Sequence, residues 1–152
     1  MDATLIPTGE FRPVAGTVYD FRAGKPIGQD IRDGKEKQLL LGRGYDMNWV
    51  ISRTGAAQPR MVARVADPHS GRVLTLYSAQ PGLQFYSGNF LDGTSTGTSG
   101  RVYRQGDAFV LEPQQFPDTP NHPAFGSGRL APGQTYRNHI VYRFSVEHDA
   151  AH

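Results

Sequence analysis

The stretch Leu111-Glu112-Pro113-Gln114-Gln115-Phe116-Pro117-Asp118-Thr119-Pro120-Asn121 places one carboxylate between an apolar run, Phe109-Val110-Leu111, and a proline-rich loop. Each proline fixes its own φ and biases the residue before it to extended geometry, so the loop is costly to rearrange. A glutamate at a rigid strand end, in partly apolar surroundings, is set up to have its proton affinity tuned for transfer. Glu112 is therefore the candidate general base.

Asp46 precedes the apolar run Trp49-Val50-Ile51 and follows Tyr45. A carboxylate at a strand start beside aromatic rings can accept hydrogen bonds from two sugar hydroxyls while a ring face covers C–H groups. It can equally cap a turn. Gln84 alternates with apolar neighbours in Leu83-Gln84-Phe85-Tyr86, and its carboxamide can donate and accept at once, as polyol recognition requires. The alternative is a half-exposed strand glutamine. Two carboxylates such as Asp46 and Glu112 also admit a glycosidase reading, weaker because nothing else supports it.

Five histidines are present: His69, His122, His139, His148 and His152. None pairs at metal-ligand spacing with a third ligand nearby, so no metal site is expected. His69 falls in an expected turn and His148 and His152 in the tail, whereas His122 shares the proline-rich loop with Glu112. No G-x-S-x-G elbow, phosphate-binding loop or G-x-G-x-x-G is present.

The elements that would position these groups are strands. Alternation is clearest where Tyr136, Asn138, Ile140, Tyr142 and Phe144 interleave with Arg137, His139, Val141, Arg143 and Ser145, which predicts a strand with one buried face. Met61 to Asp67 and Arg72 to Ala79 read as a hairpin around Pro68-His69-Ser70-Gly71. Shorter strands are expected over Val14 to Phe21, Asn48 to Ser52, Leu83 to Tyr86 and Arg101 to Tyr103. Pro26 to Gln38 could hold one helical turn or two, against Gly28 and Gly34. Asp92 to Gly100, DGTSTGTSG, reads as a mobile surface loop, although its hydroxyls and glycine amides could cradle an anion.

A chain of 152 residues suits one domain, here residues 1–147 with a tail at 148–152. Its 16 basic and 14 acidic residues are scattered, so the net charge of +2 marks no nucleic-acid footprint. The absence of Cys removes disulfides and thiol nucleophiles. No membrane-length apolar segment or leader-like N-terminus is evident, which points to a soluble, cytoplasmic protein, with the periplasm not excluded. The expected class is all-β, mostly antiparallel.

Taken in order, GYDMN, DPHSGR, GLQFYSGNF, AFVLEPQQFPDTPN and APGQTY resemble the C-terminal half of the aldose 1-epimerases, also called galactose mutarotases. The opening IPTGEFRPVAGTVYDFR and PIG look like the segment before GYD in that family. The resemblance implies an antiparallel β-sandwich of the galactose mutarotase type, about half of the family domain. It also implies interconversion of the α and β anomers of an aldohexose, galactose or glucose, with no cofactor. By motif, Glu112 is the base that takes the C1 hydroxyl proton, while Asp46 and Gln84 contact substrate. The acid histidine of the family belongs to its N-terminal half, and Met47 and Gln115 stand where the family commonly or often has His. Such a partial sandwich is expected to leave sheet edges unpaired and an apolar face uncovered, which implies self-association, assembly with a separately encoded N-terminal half, or a truncated product or fragment. The alternative function is a non-catalytic carbohydrate-binding or structural half-domain.

Overall fold

The computed structural model describes residues 1–147. The tail at 148–152, with His148 and His152, lies outside the described residues. Two compact units emerge among the described residues, Met1–Trp49 with Gln84–Glu112, and Val50–Leu83 with the chain from Pro113 onward. Strands dominate: β1 (Asp46–Val50), β2 (Arg60–Ala66), β3 (Arg72–Ser78), β4 (Gly82–Tyr86), β5 (Asp92–Thr96), β6 (Val102–Arg104), β7 (Val110–Gln114) and β8 (Ile140–Val146). They form sheets of order β1-β4-β7, β2-β3-β8 and β5-β6. Among the described residues, no helix is long and apolar enough to cross a membrane.

In the first unit the core is aromatic. Tyr19, Leu39, Tyr45, Met47 and Phe85 are buried together, with Phe21, Trp49 and Leu111 packed against them. Tyr45 stacks on Phe85 at 5.3 Å between centroids, while Phe21 meets both rings edge-on at 5.3 and 5.9 Å. Two of these rings have bonded polar ends: the Tyr45 hydroxyl donates to Val18 O and Trp49 Nε1 donates to Tyr19 O, both at 3.0 Å. Such aromatic pairs add about 0.5–1.5 kcal/mol each beyond area burial.

Val14 to Phe21 is not the expected strand. Thr17 N–H donates to Val14 O and Asp20 N–H to Thr17 O, so the segment runs in turns. From these turns Tyr19 enters the aromatic core, and Val14, Val18 and Phe21 pack against it. In the first unit the helical content is a 3-10 turn at Ile27–Gln29, inside the expected window, and a short helix, α1 (Lys37–Gly42), that starts at the window's last two residues and runs past it. The Glu36 carboxylate accepts from Gln38 N–H at its start, and Arg43 leaves it in the left-handed region at φ 58°.

In the second unit the expected hairpin forms. β2 and β3 pair antiparallel with a register irregularity between Met61 and Ala63. Asp67 builds the turn: its carboxylate accepts from His69 N–H at 3.1 Å and from the Ser70 hydroxyl at 2.5 Å. Gly71, at φ +70°, completes it where an added Cβ would collide with the Glu147 carbonyl. β8 pairs with β3 from Ser78↔Ile140 to Arg72↔Val146. Its expected buried face is absent: every residue of β8 is exposed, Phe144 at 76%. The strand begins at Ile140, so Tyr136 to His139 precede it. Periodicity reported the extended backbone; burial needs a covering layer that the period itself does not supply.

DGTSTGTSG also departs from the loop expectation. Asp92–Thr96 is β5 and pairs antiparallel with β6, with the Thr94 hydroxyl and N–H both donating to the Asp92 carboxylate. Its threonines are β-branched residues suited to a strand, and the ribbon stays almost wholly exposed.

Candidate functional site

The three candidate residues sit on the three strands of one sheet, and alternation determines which way each points. In β1, Met47 and Trp49 belong to the aromatic core; in β4, Phe85 does; in β7, Leu111 packs against it. Successive side chains of a strand point to opposite faces. Asp46, Gln84 and Glu112 therefore share the face turned away from the core, with Gln84 on the central strand. Asn48 and Tyr86 lie on that face as well.

Asp46 and Gln84 touch. Gln84 Nε2 donates to Asp46 Oδ1 at 2.8 Å. A carboxylate only accepts, so its chemistry dictates which end of the carboxamide faces it. Gln84 Oε1 is buried and has no hydrogen-bond partner among the described residues. The contact leaves Asp46 Oδ2 as the second acceptor on the face.

Glu112 corrects the expectation at two points. It lies in the middle of β7, which continues through Pro113 to Gln114, and it is exposed rather than set in apolar surroundings. Proline is tolerated there because β7 is the edge of its sheet, where a missing N–H breaks no ladder. The alternation that buries Pro113 turns Glu112 outward.

The proline-rich loop that follows is built of two 3-10 turns, Thr119–Asn121 and Pro123–Phe125, with Asp118 in the left-handed region at φ 63°. Phe116 is buried and meets Phe125 edge-on at 5.3 Å. His122 Nε2 lies 3.3 Å from Asp118 Oδ2, and its ring sits 4.8 Å from that of Phe125. His122 thus helps hold the loop's own shape. His69 is exposed in the hairpin turn and His139 precedes β8.

Sequence reasoning missed the polar cluster behind Asp46. Ser87 N–H donates to Tyr45 O at 2.9 Å, and Tyr45 N–H donates to Ser87 Oγ at 3.0 Å. Ser87 Oγ donates to Asn89 Oδ1 at 2.5 Å, while Asn89 Nδ2 donates to Gly42 O at 2.6 Å and Tyr45 O at 2.9 Å. Ser87 and Asn89 are both buried. The signal available was the pairing of glycine-flanked polar residues, GRGYD with YSGN, which local pattern cannot connect.

The chain matches the family model described as aldose 1-epimerase over residues 1–143. It is 44% identical to a human protein named galactose mutarotase over 146 residues, which is 96% of this chain and 40% of that one. To the aldose 1-epimerase of Escherichia coli K12 it is 35% identical, over 97% of this chain and 42% of the relative. The crystal structure of a GalM/aldose epimerase homologue from C. elegans superposes with a TM-score of 0.78 at 31% identity, covering 96% of this chain and 42% of that one. The chain thus spans about 40% of the length of the curated relatives it matches.

Proposed function

The chain belongs to the aldose 1-epimerase family, and we propose that it carries the base-bearing face of an enzyme that interconverts the α and β anomers of an aldohexose. The observation that supports this most directly is the convergence of Asp46, Gln84 and Glu112 on one face of the β1-β4-β7 sheet. Asp46 and Gln84 hold ring hydroxyls, and Glu112 takes the proton of the C1 hydroxyl.

In this reading the O1–H bond breaks as its proton passes to Glu112, and the O1 electron pair forms the C1 carbonyl. The bond from C1 to the ring oxygen breaks, and that oxygen takes a proton from an acid. Rotation about C1–C2 in the open aldehyde and the reverse sequence give the other anomer. The exposure of Glu112 suits a base that must meet a small polyol from solvent. A positioned acid or base of this kind contributes about 10² to 10⁴ in rate. The acid, by the family pattern a histidine, comes from the part of the fold that the relatives possess beyond the matched segment. The exposed apolar residues of β8 are what this reading expects of a surface covered by that part, or by a second copy.

Polarimetry of freshly dissolved α-galactose and α-glucose tests the proposal, using the chain alone and mixed with the N-terminal portion of a relative. Mutarotation no faster than that of a Glu112→Gln control in both settings would refute it. The coverage of about 40% of the relatives supports a second reading, sugar binding without turnover. Calorimetric binding in the absence of any rate effect would select it.

A further inference from the structure

We propose that Asn89 is a positioning residue for the sugar-binding pair, acting through a latch that it forms with Ser87; this rests on the reading of Asp46 and Gln84 as the hydroxyl-binding groups. The latch joins the entry of β1 to the exit of β4. Tyr45, whose N–H and C=O are both held by it, is the residue before Asp46; Ser87, which holds them, follows Gln84 by three positions. The two strands that must present a carboxylate and a carboxamide 2.8 Å apart are thus tied together at the adjoining end.

The carboxamide of Asn89 is matched to this place. Its Nδ2 has two protons and donates them to two different carbonyls, Gly42 O and Tyr45 O. Its Oδ1 accepts the Ser87 hydroxyl, which in turn accepts from Tyr45 N–H. Aspartate, leucine and alanine lack those donors, and glutamine carries them one carbon too far. Gly42, the last residue of α1, faces Asp46 itself, an added Cβ lying 3.5 Å from Asp46 Cβ. Gly44, at φ +142°, leaves the room the latch needs. A Cβ there would collide with Asn89 Oδ1 and sit 2.7 Å from Ser87 Oγ.

Helix end, turn and both strand ends therefore meet on one buried amide. Groups of this kind set binding geometry without touching the ligand, because a small displacement of the contacting group costs affinity steeply. Asn89 itself is buried, and its amide is engaged by the Gly42 and Tyr45 carbonyls and the Ser87 hydroxyl.

The test is an ¹⁵N NMR comparison of this chain with its Asn89→Ala and Ser87→Ala variants, following the Gln84 side-chain amide and titrating galactose. The latch predicts that the Gln84 amide signals of a folded variant move toward those of an Asp46→Asn protein. It also predicts that the galactose dissociation constant rises about tenfold or more. Unchanged Gln84 signals in a folded variant overturn the proposal, as does unchanged galactose affinity. Unfolding of both variants also overturns it, in favour of a purely structural role. Should the unaltered chain show no galactose response either alone or mixed with the N-terminal portion of a relative, the functional reading fails instead, and the Gln84 signals still decide whether the latch sets the pair.

Discussion

Gln84 on β4 donates its carboxamide N–H to the carboxylate of Asp46 on β1 at 2.8 Å, so two residues 38 positions apart act as one polar unit. A bond of this kind to a charged acceptor contributes about 1.5–3 kcal/mol. Asp46→Ala, Gln84→Ala and the double variant should therefore show a coupling of about 1 to 2 kcal/mol in urea unfolding. A coupling of zero would mean that the pair is not formed in solution.

Replacing Glu112 by Gln separates chemistry from folding. The side chain is exposed, so stability should change by less than about 0.5 kcal/mol. Where the complete active assembly is present, mutarotation should fall by about 10² to 10⁴ while sugar affinity stays within a few-fold. Polarimetry and calorimetry on the same preparations give both quantities.

Tyr45 predicts an alkaline limit to stability. Burial, and after it the negative charges of Asp30 and Asp33, push its phenol from the ordinary 10.0 up to about 12. Because the folded value is the higher, the contribution is complete below pH 10 and is lost as pH rises from 10 through 12. Tyr19 is raised in the same direction, by burial first and then by Glu36. Tyr45→Phe should lose about 1 kcal/mol at neutral pH with the bond to Val18 O, and should lessen, without abolishing, the alkaline slope. Urea midpoints followed through that pH window check both effects.

Gly71→Ala should weaken the second unit by at least about 2 kcal/mol, since left-handed backbone is combined with a collision against the Glu147 carbonyl. Gly133→Ala, also at positive φ but facing open space, supplies the contrast and should cost about 1 kcal/mol. Equal urea midpoints for the two variants would contradict the close approach of the hairpin turn to the chain just beyond β8.

Where the determinants are local, the sequence and the structure agree closely. The β2–β3 hairpin could be read from two strand patterns and from the turn chemistry of Asp67, Ser70 and Gly71, all within a few residues of one another. Asp46 stands at a strand start as its neighbours suggest. Val14 to Phe21 misleads because a short run with apolar residues, here Val14, Val18, Tyr19 and Phe21, can reach a core from a series of turns as well as from a strand. Helix α1 escapes notice because six residues are too few to establish a helical period.

The sequence by itself named the candidate residues, Glu112, Asp46 and Gln84, and determined the strand-rich class and, through its ordered motifs, the family. Only the tertiary structure decided that the three share one face, that Gln84 grips Asp46, that Glu112 is exposed in mid-strand, and that β8 is bare. The reason is one of range. Turn preference and alternation are set by a residue and its near neighbours, whereas the bonds from Asn89 to Gly42 and Tyr45 span 47 and 44 positions. Burial likewise depends on whichever distant chain arrives to cover a surface.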